Sequence, residues 1–363
     1  MPVPLFDPTA SQAPLRADIR AAVHRVLDSG HFILGPEVEA FETELAAYLG
    51  ADHAVGVANG TEALTIALRA LGVGPGDEVV VPSFTFWASA EAIPPTGAVP
   101  VFCDVDPDTL CVTAQTVKAA LTPKTKAVIA VHLFGNVAPV AEIEALGVPV
   151  VEDAAQAAGS TSAAGRPGAL GTIATFSFYP SKNLGAMGDG GAITCRDAEL
   201  AERVRTLRFH GSADKVDYVD IGYNSRLDEL QAAILRVQLP YLDKWGAARA
   251  AAGDAYAEAL DGVVTLPVAA EGSRPAWHLY VIRHDEADRL QRALAEAGIG
   301  ARPYYRKPVH AQPPMAPWPP RVALPATEQA ARTHLAIPMS AALRPEQIAE
   351  VAAAIKGAVL AAR

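Results

Sequence analysis

The chain has 363 residues, more than one domain usually holds, so we expect two domains, the larger with a sizeable core. Half of the residues are hydrophobic and 19% are charged, which is the balance of a soluble globular protein. The net charge of −10 argues against a general nucleic-acid binder. The three cysteines form no CxxC pair and indicate no disulfide framework.

The N-terminal part of the chain predicts helices rather than a targeting segment. No basic stretch followed by an apolar one opens the sequence, so we expect no signal peptide. Residues 15–30 and 37–50 carry amphipathic helical patterns, each closed by a glycine suited to a helix end. The longest uncharged stretch, 127–141, is too short to span a bilayer. We therefore expect a cytoplasmic protein with neither membrane nor nucleic acid as a partner.

From residue 55 onward, apolar runs alternate with segments of crossover-helix length. The runs are almost continuously apolar, as parallel strands that are covered on both faces must be. This alternation predicts an α/β domain with a mainly parallel sheet. The predicted strands are 77–82, 98–105, 126–134, 148–153, 172–180 and 190–195, and the predicted crossover helices are 89–97, 112–121 and 137–147.

The C-terminal third predicts a second, smaller α+β domain. A long helical pattern covers 227–260, with Pro240 as a kink or break. A strand at 277–284 and helices at 287–298 and 347–362 follow it. The proline-rich segment 302–325 predicts an ordered loop at a cleft. We therefore predict a large domain over 1–245, including the N-terminal helices, and a small domain over 246–363.

Several familiar motifs do not fit. The glycine clusters do not match G-x-G-x-x-G, and no G-x-x-x-x-G-K-[ST] phosphate loop is present. The nine histidines form no HExxH and do not pair with cysteines at zinc-ligand spacing. A dehydrogenase, a nucleotide hydrolase and a metal-dependent enzyme therefore have little support, and no metal ligands are assigned.

Lys182 is the first candidate catalytic residue. It follows a predicted apolar strand in FSFYPSKNLGAMGDGG and stands among small residues that leave room for a ligand. Most lysines in loops are solvated surface charges, but the apolar strand before it favours burial. Burial lowers the pKa of a lysine toward that of a reactive amine.

Asp153 is the second candidate, because it ends the strand VPVVED, where ligands bind in open α/β sheets. The alternative is an N-cap for a helix over the following AAQAAG, since aspartate favours that position. Gln156, three residues on, would share a helical face with Asp153.

Further along the chain, Gly60 and Thr61 mark a junction where a strand enters a helix, and a helix N-terminus suits a phosphate. Ser177 on the strand before Lys182 could reach the same phosphate. Phe86 could stack on a flat ligand. Each has an ordinary alternative: a capped helix, a core hydroxyl or a core aromatic. The neighbouring Trp87 competes with Phe86 for the stacking position.

Pyridoxal 5′-phosphate (PLP) requires these four functions together. Its aldehyde needs a lysine, its ring nitrogen a carboxylate, its face a flat neighbour, and its phosphate amides and hydroxyls. The order of the candidates within one α/β domain therefore predicts a PLP enzyme with Lys182 and Asp153 as the catalytic pair.

With these residues in place, the sequence resembles the DegT/DnrJ/EryC1/StrS family of PLP-dependent sugar aminotransferases almost from end to end. The matching blocks are ILGPEVEAFE, VANGTEAL, GPGDEVVVPSFTF, VEDAAQAAG, FSFYPSKNLGAMGDGG, GYNSRLDELQAA, WHLYVIR and PVHAQPP. The resemblance implies the aspartate-aminotransferase fold (PLP fold type I), with a smaller α+β C-terminal domain.

The resemblance also implies roles at matching positions. Lys182 would hold PLP as a Schiff base, Asp153 would face the ring nitrogen, and Asn224 of GYNSR would reach the phosphate of the partner subunit in a homodimer. Some members replace the lysine by histidine and act as dehydratases, so the lysine favours an aminotransferase. The remaining positions are implied to contact the cofactor (Gly60, Thr61, Phe86, Gln156, Ser177) or to lie near the sugar nucleotide (Tyr304, His310), where aromatic packing is an alternative for the last two.

The block FYPSKNLGAMGDGG, with Asp189 where many 4-amino-sugar enzymes carry glutamate, looks closest to enzymes that aminate C3 of dTDP-3-keto-6-deoxyhexoses. We therefore expect transfer of an amino group from L-glutamate to such a nucleotide-linked keto-sugar. A 4-keto sugar or a keto-cyclitol is the closer alternative. A PLP-binding sensor without turnover is the alternative of another class.

Overall fold

A computed structural model of the chain describes residues 2–7 and 9–361. Positions 1 and 363, which bound the predicted domains, and position 362, where the last predicted helix ends, lie outside the described residues. The strands are β1 (His53–Val57), β2 (Glu78–Pro82), β3 (Val99–Cys103), β4 (Thr125–Val131), β5 (Val150–Asp153), β6 (Thr161–Ser162), β7 (Ile173–Ser177), β8 (Gly191–Cys195), β9 (Ser273–Arg274), β10 (Tyr280–Arg283) and β11 (His334–Ile337).

Seven of these strands form one mixed sheet in the order β1-β8-β7-β5-β4-β2-β3. Strand β8 runs antiparallel to both of its neighbours, β1 and β7, while the strands from β7 to β3 are all parallel. Every residue of β2 is buried, as expected of a strand covered on both faces. The predicted α/β class with a mainly parallel sheet is therefore confirmed.

The helices cover both faces of this sheet and build the smaller C-terminal unit. The predicted helix at 89–97 was too long, because Pro94 and Pro95 confine the α-helix to its first part and a 3₁₀ turn follows. The helices are α1 (Arg16–Ser29), α2 (Pro36–Leu49), α3 (Gly60–Ala70), α4 (Trp87–Glu91), α5 (Ala114–Ala120), α6 (Val140–Glu144), α7 (Ala198–Arg208), α8 (Glu229–Gln238), α9 (Leu242–Leu260), α10 (Ala287–Glu296), α11 (Pro325–Thr333) and α12 (Pro345–Leu360).

Pro240 ends one helix and allows the next to begin, as predicted. It lies in a 3₁₀ turn between α8 and α9. Helix α9 then runs through two apolar clusters. Leu242 and Trp245 pack with α1, α2 and α8 against the sheet, whereas Tyr256 and Leu260 pack with β10, β11, α10 and α12. One continuous helix therefore joins the two cores.

The N-terminal segment packs against the C-terminal unit. Val3 is 1% exposed and belongs to the same apolar cluster as Tyr256. Its amide donates to Gly298 O, and its carbonyl accepts from Gly300 N. Among the residues that the structure describes, no helix is both long enough and apolar enough to cross a membrane.

Candidate active site

The predicted site residues meet at the carboxyl edge of the sheet. The strands β1, β5 and β7 point the same way, so their last residues lie along one edge. Val57 and Ser177 both pair with Gly191, the first residue of the reversed strand β8, and Asp153 pairs with Thr175. Ligands bind at this edge in open α/β sheets.

Asp153 is fixed in direction by two hydrogen bonds. It is 6% exposed, its Oδ2 accepts from Ser89 Oγ at 2.7 Å, and its Oδ1 accepts from Ala155 N at 3.2 Å. Ser89 Oγ is itself 3.0 Å from Thr85 Oγ1. The carboxylate is thus anchored by α4 as well as by its own strand.

The helix predicted after Asp153 is wrong. Residues 155–159 form successive turns, with hydrogen bonds from Ala157 N to Ala154 O and from Ser160 N to Ala157 O. Ala154 N still bonds to Thr175 O, which extends the strand pairing past Asp153 and leaves no helical start there. The alternative role of Asp153 as a helix N-cap therefore fails, and Gln156 reaches the site from a turn.

Lys182 lies in a tight loop between β7 and β8. Its amide donates to Tyr179 O at 2.8 Å, and a side chain on Gly185 would come within 2.7 Å of Pro180 O. Burial lowers the pKa of Lys182 to about 8, and the nearby Asp153 carboxylate opposes part of that shift. At neutral pH such a lysine is an uncharged, nucleophilic amine in roughly a tenth of the molecules.

Gly60, Thr61 and Ser177 form a small polar concavity where β7 ends and α3 begins. A Cβ on Gly60 would lie 2.7 Å from Ser177 Cβ, so only glycine allows this approach. The Asn59 side chain caps the Glu62 amide at 2.8 Å. Among the hydrogen bonds of the described residues, none uses the amides of Gly60 and Thr61, which remain available to an anion.

Phe86 and Trp87 differ in their surroundings. Phe86 is 52% exposed, whereas Trp87 packs against the main core. Tyr305 lies near the Phe86 ring with centroids 6.2 Å apart, and its hydroxyl accepts from Gln156 Nε2 at 3.2 Å. Gln156 Oε1 accepts from Phe134 N at 2.8 Å. Phe86 is therefore the ring that is free to cover a ligand.

The other three predicted residues, Tyr304, His310 and Asn224, each have contacts outside this group. Tyr304 lies beneath the Arg302 guanidinium at 5.4 Å, and His310 Nδ1 is hydrogen-bonded to the buried Ser83 hydroxyl. Asn224 is exposed and pairs with Phe209. Tyr304 also lies beside Tyr305, with ring centroids 6.1 Å apart, and so adjoins the residues around Phe86 and Gln156. Among the described residues, no hydrogen bond joins His310 or Asn224 to the other predicted site residues.

Two residues of the site were not predicted from the sequence. Ser89 holds Asp153, and Tyr305 holds Gln156. A serine inside a helical segment carries no chemical signal of its own. Tyr305 adopts φ +72°, a strained conformation for a residue other than glycine. Tyr304 and Tyr305 are adjacent in the sequence, and nothing in the sequence indicates which of the two tyrosines holds Gln156.

The residues present fit PLP. Lys182 offers an amine of lowered pKa to the aldehyde, and Asp153 offers a fixed carboxylate to the ring nitrogen. The concavity of Gly60 and Ser177 offers amides and a hydroxyl to the phosphate, and Phe86 offers an open ring face. These are the four functions that the cofactor requires.

Comparison with known proteins agrees with this geometry. A sequence model of the DegT/DnrJ/EryC1/StrS aminotransferase family matches residues 14–356. A dTDP-3-amino-3,4,6-trideoxy-α-D-glucose transaminase from Streptomyces venezuelae is 45% identical over 361 residues, covering 98% of this chain and 95% of that protein. A UDP-N-acetyl-3-dehydro-α-D-glucosamine 3-aminotransferase from Acidithiobacillus ferrooxidans is 45% identical, covering 98% and 97%. A Geobacillus stearothermophilus protein of the same identity, covering 96% of each chain, is named a pleiotropic regulatory protein.

A solved structure gives the same result for the fold. The crystal structure of S. venezuelae DesV in complex with a ketimine intermediate has a TM-score of 0.95 and 45% identity to this chain, covering 99% of this chain and 98% of that one. The predicted PLP fold type I is therefore confirmed. The chain belongs to the DegT/DnrJ/EryC1/StrS aminotransferase family and is a PLP-dependent aminotransferase.

Proposed function

We propose that this enzyme moves an amino group from L-glutamate to C3 of a nucleotide-linked 3-keto-6-deoxyhexose, with dTDP as the nucleotide. The observation that carries the proposal is the placement of Lys182 near the Asp153 carboxylate at the carboxyl edge of the sheet. Transamination on PLP requires a reactive amine and a fixed carboxylate. The S. venezuelae and A. ferrooxidans relatives, both named for amination at position 3 of a sugar, support the ring position.

The residues that hold the cofactor divide its binding among them. The phosphate would be bound by the amides of Gly60 and Thr61 and by the Ser177 hydroxyl. Phe86 would cover one ring face, and Gln156 would contact the ring from its turn. Asp153, held by Ser89, would keep a proton on the ring nitrogen. When bound, PLP supplies an electron sink for the pair of electrons left on carbon when a proton departs.

Lys182 has two tasks in this scheme. Its Nζ would hold the cofactor. As a free amine, Lys182 would accept a proton from the α-carbon of the amino donor and then release that proton. A pKa of about 8 suits both directions, because the group can accept and release a proton near neutral pH. In the second half-reaction, Lys182 would move a proton in the opposite direction, to the sugar carbon that gains the amino group.

We further propose that the enzyme is a homodimer with shared active sites. Asn224 follows a loop that exposes large apolar side chains, with Val216, Tyr218 and Ile221 between 61% and 82% exposed. Apolar groups clustered in this way mark interaction surfaces. Burial of that loop against a second subunit would bring Asn224 to the partner's phosphate site.

A cytoplasmic location is in keeping with the cysteines. Cys103, Cys111 and Cys195 are buried free thiols. Free thiols are usual in a reducing compartment.

The first test separates turnover from mere binding. The purified protein with PLP should convert L-glutamate to 2-oxoglutarate in a half-reaction, and borohydride should fix a pyridoxyl group on Lys182. A PLP-binding sensor would retain the cofactor without the half-reaction. Labelling of a different lysine would exclude the assigned site.

The second test identifies the acceptor. The enzyme, with glutamate in excess, is offered a panel of dTDP-, UDP- and GDP-linked 3-keto and 4-keto sugars and a keto-cyclitol. Product mass and NMR then report the position that gained nitrogen. Efficient amination of a dTDP-3-keto sugar is the expected result, and preference for a 4-keto sugar or a cyclitol would overturn the assignment of C3.

A further inference from the structure

Three buried polar atoms near Lys182 have no hydrogen-bond partner among the described residues. They are Asn183 Oδ1, Arg249 Nε and His278 Nδ1. Buried polar groups in proteins are nearly always satisfied, so a cluster of exceptions indicates a missing ligand or water. Asn183 is fixed by two bonds from its Nδ2, to Ala158 O at 3.0 Å and Ala276 O at 3.1 Å.

Arg249 is the most unusual member of this cluster. It is 8% exposed, and its side chain makes one hydrogen bond to the described residues, from Nη1 to Trp277 O at 3.1 Å. Within the part of the chain that the structure describes, no carboxylate lies within 4.0 Å of it. Burial alone lowers the pKa of Arg249 to about 10. An arginine remains charged under these conditions, so the buried cation lacks a counter-ion.

Arg249 and Lys182 line one cavity. Helix α9 contributes Arg249, the loop after β7 contributes Lys182 and Asn183, and the segment after β11 contributes Ser340. His278 follows Trp277, whose carbonyl accepts from Arg249. Burial lowers the pKa of His278 well below its usual value, and the charges of Lys182 and Arg249 lower it further.

Asp7 also lines this cavity, but its carboxylate is engaged locally. Its Oδ1 accepts from Thr9 N at 2.9 Å, from Thr9 Oγ1 at 2.8 Å and from Ala10 N at 3.1 Å. Asp7 Oδ1 is therefore engaged within its own turn, and among the described residues Arg249 has no carboxylate partner.

We propose that Arg249 binds a carboxylate of the amino donor and of the 2-oxo acid formed from it. The inference rests on the proposed function and adds the group that recognises the donor. An α-amino acid whose nitrogen replaces Lys182 carries a carboxylate on the next carbon, so an anion must lie a few ångströms from the lysine. The planar guanidinium pairs with a carboxylate through two parallel hydrogen bonds. A keto-sugar has no carboxylate next to its carbonyl group and would not use Arg249 in this way.

The direct test is the binding of glutarate, a dicarboxylate without an amino group, to the PLP-loaded enzyme by titration calorimetry. The wild type should bind glutarate, and Arg249→Met should bind it about 100-fold more weakly, because a buried ion pair loses its cation. Arg249→Lys should bind with intermediate affinity, since it keeps the charge without the planar fork. Arg274→Met, at an exposed arginine, is the matched control and should bind like the wild type.

Steady-state kinetics provide the second measurement. Arg249→Met should raise the KM for glutamate about 100-fold while the KM for the keto-sugar and the dissociation constant of PLP change by less than about threefold. The melting temperature of the Met variant without ligand should not fall, because an unpaired buried charge is removed. A purely structural arginine would lower it. If Arg249→Met does not fold, the glutarate affinity and the KM for glutamate of Arg249→Lys test the proposal instead.

The outcomes distinguish this inference from the proposed function. If the wild type turns over glutamate but Arg249→Met or Arg249→Lys binds glutarate and glutamate normally, the role of Arg249 is wrong and the transaminase assignment stands. If the wild type neither binds glutarate nor reacts with glutamate, both are wrong. If the wild type binds glutarate through Arg249 without turnover, the carboxylate site stands and the proposed reaction fails.

Discussion

Individual side chains in this site are held by neighbours that take no part in the chemistry. Ser89 Oγ donates to Asp153 Oδ2, and Thr85 Oγ1 is hydrogen-bonded to Ser89 Oγ. This short chain of hydroxyls sets the direction of the carboxylate. A carboxylate that is already oriented loses little free energy to rearrangement when charge develops on the ring nitrogen. Function at the residue scale therefore depends on α4 as much as on β5.

Asp153→Asn should leave the fold intact and lower kcat by about 10²- to 10³-fold, because a neutral amide no longer keeps the ring nitrogen protonated. Steady-state assays with glutamate measure the loss, and circular dichroism checks the fold. Asp285→Asn, at an exposed aspartate, should behave like the wild type. Near-native turnover by the Asp153 variant would show that the carboxylate has no catalytic role.

The lowered pKa of Lys182 makes the stability of the cofactor-free protein depend on pH. The pKa is about 8 in the folded chain against 10.5 for an ordinary lysine, so between these values the unfolded state binds more protons and stability rises with pH. Below pH 8 the whole penalty is present, about 2 kcal/mol after allowance for the partial exposure of the side chain.

Lys182→Met should therefore stabilise the cofactor-free protein by about 2 kcal/mol at pH 7, and the gain should disappear as the pH approaches 10.5. Urea denaturation of both proteins at pH 7, 9 and 10.5 measures the difference. Lys126→Met removes an exposed lysine and serves as the matched control. An equal difference at every pH would contradict the lowered pKa.

Lys182 and Asp153 could be predicted from sequence because each stands next to a run of buried apolar residues. Such runs locate the ends of strands, and the ends of strands locate the site. Ser89, Tyr305 and Arg249 could not be predicted. Each sits in a pattern shared with many surface residues, and its importance arises only from a contact with a distant part of the chain.

At the scale of elements, the contact of α3 with β7 shapes the phosphate site. The first residue of the helix approaches the last residue of the strand so closely that a methyl group would collide with Ser177. The helix amides are thereby presented at the edge where the other site residues lie.

Gly60→Ala should weaken PLP binding by about tenfold or more and lower stability by about 1–3 kcal/mol, because α3 and β7 must move apart. Equilibrium dialysis measures the first quantity, and urea denaturation of the cofactor-free protein measures the second. Gly357→Ala is the matched control in α12. An added Cβ there meets nothing within 4 Å, so stability should rise by about 0.5–1 kcal/mol. Unchanged PLP affinity in Gly60→Ala would remove this residue from the phosphate site.

Elements with strong periodicity were predictable and short irregular ones were not. The strands and long helices that were predicted agree with the structure to within a few residues, whereas helix α7 and strand β11 were not predicted. The turns at 155–159 were taken for a helix because alanine-rich segments favour helices locally, and the continued pairing of Ala154 with Thr175 overrides that preference. Helix α11 was missed because Pro325, which closes the proline-rich segment, is also a favourable first residue of a helix.

At the scale of the whole molecule, α9 connects two apolar cores without an intervening linker. We propose that the domain boundary lies within this helix, near residues 245 and 246, since Trp245 packs in one cluster and Ala252 in the other. Arg249 then stands between the two domains.

The shared active site predicts rescue between two impaired subunits. In a heterodimer of Lys182→Ala with Asn224→Ala, one site carries both defects and the other is intact. Mixed and re-associated subunits should therefore recover activity. When every dimer is mixed, one of its two sites is intact, so the activity per dimer should reach about half of the wild-type value. Sedimentation should show a dimer at assay concentrations. A fully active monomer, or confirmed heterodimers without recovery, would exclude the shared site.

The pairing of Val3 with Ile299 has a consequence for the order of folding on the ribosome. The two residues are separated by 296 positions (299 − 3), and synthesis adds about 5–20 residues per second, so the third residue waits roughly 15–60 s for its neighbour to be made. The sheet can assemble during that interval, but the N-terminal segment cannot reach its final place. Val3 is thus made long before the residue against which it is buried.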